Sequence, residues 1–312
     1  MTFPHSPWQR GWARAGLACL CLLLAWPAFA ARVVVVLSND SAPYQEVYQA
    51  MRAMLDDSGH ELVRDYAGRV TAATLIEARL VVAVGTAAAD AVTDVPGRVP
   101  VLAVLVPRSW YVGSGRSRLA EGRRVASAIF LDQPFDRQAR LIHLALPDVR
   151  RVGVVLSAAQ RRLADEIEAA LRNHKLQLVH VQLDPGERLA LPLETVFLES
   201  DLLLAVPDPQ VFNSNTAQSL FLTSYRYRDP VMGYSRSLTR AGALLSLHSS
   251  PAQIGRQTVD WLRAALSGPT VQLPAAAHPV YFEVSVNEQV ARSLGFSLPP
   301  EDELEKRLGG RY

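Results

Sequence analysis

Three strand-like segments of this chain return, in the same order, in its second half. Arg32-Val33-Val34-Val35-Val36-Leu37-Ser38 reappears as Arg151-Val152-Gly153-Val154-Val155-Leu156-Ser157. Leu80 to Thr86 is answered by Leu202 to Asp208, and Pro100 to Val104 by Pro230 to Tyr234. Each unit is a short apolar run that ends in small or polar residues. That is the pattern of a parallel strand buried on both faces, with its loop opening at the carboxyl end. Three ordered repeats predict two similar α/β lobes, and a cleft between such lobes is a natural place for a small ligand.

Residues 1–30 read as an export signal rather than as part of the fold. Arg10 and Arg14 precede an apolar run from Ala15 to Trp26, and Ala28-Phe29-Ala30 has the small-x-small form of a cleavage site. No lipobox precedes Cys19 or Cys21, so a soluble, exported chain beginning near Ala31 is expected, with cleavage near Ala30. Both cysteines fall inside the removed segment, which excludes disulfides, Cys-ligated metal and thiol chemistry from the mature chain. Of 32 basic residues, two lie in the leader, leaving 30 against 30 acidic ones. That balance excludes the basic footprint of a nucleic-acid binder.

From Arg32 the order is β-α-β-α-β-α-β up to Pro107. Pro107 to Arg124, rich in Gly, Ser and Arg, reads as a mobile loop, and Val125 to Leu131 as a strand crossing between lobes. The expected division is an N-terminal lobe over 31–127, completed by part of 247–280. A C-terminal lobe over 128–246 is completed by part of 281–312.

Several short motifs recur together in order. They are Ser127 to Pro134 with Arg137-Gln138, Leu146-Pro147-Asp148, Leu204 to Pro209 with Asn213, and Thr223-Ser224-Tyr225-Arg226. Ala241-Gly242-Ala243, Ile254-Gly255-Arg256-Gln257, Val286-Asn287 and Ala291 to Gly295 follow. In these the mature chain resembles the ABC-transporter substrate-binding proteins related to the tryptophan-binding members. The resemblance implies a type I periplasmic-binding-protein fold: two Rossmann-like lobes with parallel sheets, three crossovers, and a ligand held by hinge closure. It also implies an ABC permease as partner.

Helix amino ends at the carboxyl ends of parallel strands offer free N–H groups and a positive dipole end, suited to a carboxylate. In the first lobe these positions are Ser38, Asn39, Tyr44, Gly85, Thr86 and Pro107. In the second they are Ser157, Pro207, Asp208, Asn213, Tyr234 and Ser235. Tyr44 and Tyr234 are able to stack on a planar ligand, and Asp132 and Asp208 to receive an α-ammonium group. Plainer roles compete: Ser38 and Ser157 as helix caps, and Asp132 with Gln133 as hinge. Arg108, Arg226 and Arg236 fall near cleft edges, either to pair with a ligand carboxylate or as solvated surface residues.

The function expected is therefore capture of a small polar ligand, an amino acid or related carboxylate, by a monomeric periplasmic protein without cofactor. Two alternatives stand beside it: a subunit feeding a membrane sensor, and an α/β hydrolase or transferase. No Gly-x-Ser-x-Gly elbow, P-loop or Gly-x-Gly-x-x-Gly turn supports the last of these.

Overall fold

The computed structural model describes residues 31–56, 59–213 and 215–309; the expected export signal lies outside them. Strands β1 (Arg32–Leu37), β2 (Glu61–Tyr66), β3 (Leu80–Val84), β4 (Val101–Val106) and β5 (Ala126–Phe130) form one parallel sheet in the order β2-β1-β3-β4-β5. The second sheet contains β6 (Arg151–Ser157), β7 (Gln177–Leu183), β8 (Leu202–Leu204), β9 (Val231–Gly233), β10 (Leu245–His248) and β11 (Glu283–Val286). Its order is β11-β10-β9-β8-β6-β7, parallel except for the edge strand β11, which runs antiparallel to β10. The repeats in the sequence are thus repeats of position: β1, β3 and β4 hold the places in one sheet that β6, β8 and β9 hold in the other.

Continuous apolar strands follow from sheets covered on both faces. In β1 the side chains alternate. Val33, Val35 and Leu37 join one core with the helices Ala42–Leu55 and Pro251–Leu266, while Val34 and Val36 join another with the helix Thr86–Asp94. All five are 0% exposed, and burying each is worth about 2 kcal/mol relative to leaving it in water. The second sheet is treated alike. Val152, Val154 and Leu156 face the helices Phe135–Ala145 and Leu163–Asn173, and Val155 faces the helices Ala190–Glu199 and Ala217–Tyr227.

The chain passes between the sheets three times: after β5, after β10, and again before β11. β5 lies wholly in the first sheet, so the chain leaves that lobe after Phe130, beyond the division at 127 expected from the sequence. The helix Pro251–Leu266 packs back on the first lobe, antecedent to an extended stretch that pairs Ala277 with β5. Gly255 permits that packing. A Cβ there would lie 2.8 Å from Ala50 Cβ and 2.9 Å from the Val47 carbonyl oxygen.

One expectation fails outright. Pro107 to Arg124 is mostly helical, with an α-helical turn Arg108–Trp110, a π-helical turn Tyr111–Gly115 and a further turn Arg116–Leu119. Its Gly, Ser and Arg content masks two buried anchors, Tyr111 and Leu119, which pack on Val106 and Phe130. Gly115 is required because the Trp110 ring lies where a Cβ would be, 2.6 Å away. Arg124 is buried and donates to the carbonyls of Val92, Val95 and Gly97, closing the carboxyl end of the helix Thr86–Asp94.

Gly255→Val forces the Pro251–Leu266 helix away from Ala42–Leu55, with an expected loss of about 1–3 kcal/mol in denaturant unfolding. His248, 5% exposed and bonded through Nε2 to Ser285 Oγ at 2.9 Å, has its pKa lowered by burial from 6.5 to about 4. A depressed folded-state pKa stabilises the fold above 6.5 and loses that contribution as pH falls towards 4. His248→Gln therefore flattens the pH dependence of the melting temperature between those values.

Candidate functional site

The carboxyl ends of the two sheets face one another, as contacts across the gap show. Arg108, just past β4, reaches Glu166 on the helix that follows β6: Nη1 lies 2.7 Å from Oε2 and Nη2 3.3 Å from Oε1. Tyr234, just past β9, is raised to a pKa of about 12 by burial and by the charges of Asp132, past β5, and Asp208, past β8. At neutral pH it therefore keeps its proton and can donate.

On the first-lobe edge, Ser38 binds inward. Its Oγ donates to the Val84 carbonyl at 2.9 Å and accepts from the Ala88 N–H at 3.0 Å, capping the helix that begins at Thr86. Gly85 sits beneath it with φ +87°, and a Cβ there would meet Ser38 Oγ at 2.5 Å and the Tyr44 ring at 2.8 Å. Ser38, Tyr44, Gly85 and Thr86 are thus one cluster. Asn39 is exposed and makes a turn, its Oδ1 accepting from the Ser41 N–H at 2.8 Å.

Pro107 is placed by an irregularity. The β4–β5 register shifts between Val104 and Val106, and Leu105 between them holds a left-handed φ of +57°. Such strain clusters where a side chain must be re-aimed. Here it turns Pro107 and Arg108 towards Asp132, whose Oδ2 accepts the Arg108 N–H at 2.6 Å. Burial pushes the Asp132 carboxyl up, against that hydrogen bond and the charges of His278 and Arg108.

Gln133 belongs to the hinge. Its Nε2 donates to Ser249 Oγ at 2.8 Å, and Ser249 Oγ donates to the Tyr281 carbonyl at 2.6 Å, so one chain of bonds links all three crossings. Arg137 Nη1 donates to Gln133 Oε1 at 2.6 Å and to the Pro279 carbonyl at 3.1 Å. His278 Nδ1 donates to the Asp132 carbonyl at 2.8 Å. Ser249, His278 and Tyr281 carry no local sequence signal, because the partner of each is supplied by a distant segment.

On the second-lobe edge, Ser157 and Asp208 meet: the Ser157 N–H donates to Asp208 Oδ2 at 2.9 Å, and the Gln210 N–H to Oδ1 at 3.0 Å. Asp208 is thereby committed to main-chain donors. Pro207 offers its carbonyl to Gln160 Nε2 at 2.9 Å. Asn213 makes a local turn, its Oδ1 accepting from the Asn215 and Thr216 N–H groups. Ser235 caps the short helix Arg236–Ala241 by accepting from the Leu238 N–H at 3.2 Å. Asn213, Tyr234, Ser235 and Phe212 line a pocket of about 260 Å³, with the Phe212 ring edge-on to Tyr234 at 6.3 Å.

The three arginines near the cleft edges pair with this protein's own carboxylates: Arg108 with Glu166, Arg226 with Glu194 and Arg236 with Glu283. Among the described residues no group of three or more His, Cys, Asp or Glu side chains is arranged to hold a metal ion. Nor is any described helix long and apolar enough to cross a membrane.

The Arg108–Glu166 pair is partly exposed, at 28% and 46% for the two side chains, so its worth is about 0.2–1 kcal/mol. Glu166→Gln is expected to favour separated lobes by up to about fivefold. Small-angle scattering of the ligand-free protein would read this as a larger radius of gyration, and added salt should shift the wild type the same way.

A family model described as ABC transporter substrate binding protein matches residues 70–305. No curated protein matches the chain. Among solved structures, a conserved domain protein from Vibrio cholerae is 21% identical, with 89% of this chain and 98% of that one covered and a TM-score of 0.64. The ABC domain in complex with L-Trp from Streptococcus pneumoniae is 16% identical over 90% and 99%, with a TM-score of 0.63. The ligand-free, open structure of a substrate binding protein with adhesive properties from Clostridium difficile is 14% identical over 87% and 97%, at 0.67. At such identities these likenesses establish the fold.

Proposed function

Because the chain belongs to the ABC transporter substrate-binding protein family, we propose that it is an exported, periplasmic protein that captures one small polar solute between its lobes. The solute is an amino acid or a related carboxylate, and the closed form is presented to an ABC-type membrane permease. No bond is made or broken.

The observation that carries this reading is the opposition of two carboxyl edges across a three-segment hinge, bridged by Arg108 and Glu166, with the charge of Asp132 felt by Tyr234 of the second lobe. Binding between such edges draws on convergent polar groups and on exclusion of water, and the affinity is spread over both lobes. The helix Thr86–Asp94 turns its amino end to the cleft, where its dipole and first N–H groups favour a carboxylate. Tyr234 contributes a neutral hydroxyl and an aromatic edge.

A thermal-shift screen of the purified protein against amino acids, small carboxylates, sugars and nucleosides tests the proposal. A solute at a hundred times its dissociation constant is expected to add about 2.7 kcal/mol to folding stability, a clear rise in melting temperature. Tyr234→Ala should reduce that rise. No shift with any compound class would count against solute capture.

A further inference from the structure

The loops that follow β6 and β8 are tied by two hydrogen bonds, both donated from the β6 side. Main-chain Ser157 N–H donates to Asp208 Oδ2, and side-chain Gln160 Nε2 donates to the Pro207 carbonyl, each at 2.9 Å. The second bond settles which way the Gln160 amide points, because only its NH2 end can donate to a carbonyl. Its oxygen is left facing away from Pro207, and it has no partner. Ser157 Oγ has none either.

Both side chains are deeply placed, Ser157 at 1% and Gln160 at 9% exposure. A buried polar atom without a partner costs stability, and folded proteins keep few of them. Two such atoms, three residues apart at the carboxyl end of β6, stand on the edge that faces the first lobe. Asp208 does not relieve them, since its two oxygens take the Ser157 and Gln210 main-chain N–H groups.

We infer that Ser157 and Gln160 form a recognition subsite for a hydrogen-bond donor on the bound solute, an ammonium, amide N–H or hydroxyl. The inference rests on the solute-capture reading and deepens it by naming the chemistry one end of the solute must carry. Gln160 Oε1 in this orientation only accepts, so a carboxylate or phosphate oxygen placed against it meets like partial charge. Ser157 Oγ accepts or donates as its neighbour requires. Both atoms are buried in this structure, so the subsite requires the protein to open before a solute reaches them. Sequence alone nominated Ser157 but not Gln160, whose role depends on the Pro207 carbonyl 47 residues away.

The test compares wild type, Ser157→Ala and Gln160→Met by melting and by calorimetric titration. The probes are L-amino acids, primary amides and polyols, each beside its N- or O-methylated counterpart. Ser157→Ala leaves the main-chain bond to Asp208 intact, so it is expected to melt no lower than wild type without ligand. Compounds bound by wild type should bind at least tenfold more weakly to both variants, and their methylated counterparts should bind at least tenfold more weakly to wild type. A ligand-free melting temperature several degrees lower for Ser157→Ala would show a structural hydroxyl and overturn the subsite. Undiminished affinity in Gln160→Met, or equal binding of methylated probes, would overturn it as well. A panel in which nothing binds wild type would instead overturn solute capture, while the ligand-free melting comparison still decides the Ser157 hydroxyl.

Discussion

One buried glutamine ties this molecule together. Gln133 donates to Ser249, Ser249 donates to the Tyr281 carbonyl, and Arg137 grips both Gln133 and Pro279. These residues lie on the three segments where the chain crosses between lobes. Each crossing alone is a few residues of irregular backbone; bonded side by side, they form the hinge that joins the two lobes. Asp132 is adjacent to that knot through its own carbonyl, which accepts from His278. Its carboxylate is held by the Arg108 main chain, and the Arg108 guanidinium reaches the opposite lobe. Hinge, cleft floor and inter-lobe contact are therefore joined through Gln133, Asp132, Arg108 and Glu166.

Much of the architecture was legible in the chain because parallel strands covered on both faces leave uninterrupted apolar runs. Val33 to Leu37, Leu80 to Val84 and Val101 to Val104 are such runs, and their counterparts from Val152 onward occupy matching sheet positions. The return of Pro251–Leu266 to the first lobe was less visible. Its amphipathic pattern says that one face is buried, but the glycine at 255 only gains meaning once Val47 and Ala50 are seen against it. The segment after Pro107 departs from its sequence pattern for a related reason. Its composition is that of a loop, whereas two residues, Tyr111 and Leu119, supply enough burial to hold it helical.

The candidate site was legible by position more than by role. Strand ends pointed to Ser38, Gly85, Asp132, Ser157, Asp208 and Tyr234, and these do lie along the facing edges. Their chemistry depends on partners tens of residues distant: Ser38 on Ala88, Ser157 on Asp208, Arg108 on Glu166. Such pairs have no local spacing to betray them. Gln133, Asn39, Asn213 and Ser235 show the consequence, for each has its polar groups engaged in hinge, turn or cap within the protein.

In the proposed capture a solute is held between both lobes at once. Peptide-resolved hydrogen exchange of the purified protein, with and without a saturating solute from the screen, tests it most directly. Slowed exchange is expected on both edges together, around 85–88, 106–111 and 131–133 in the first lobe and 157–160 and 234–238 in the second. Protection confined to one lobe, or centred away from these edges, would contradict it.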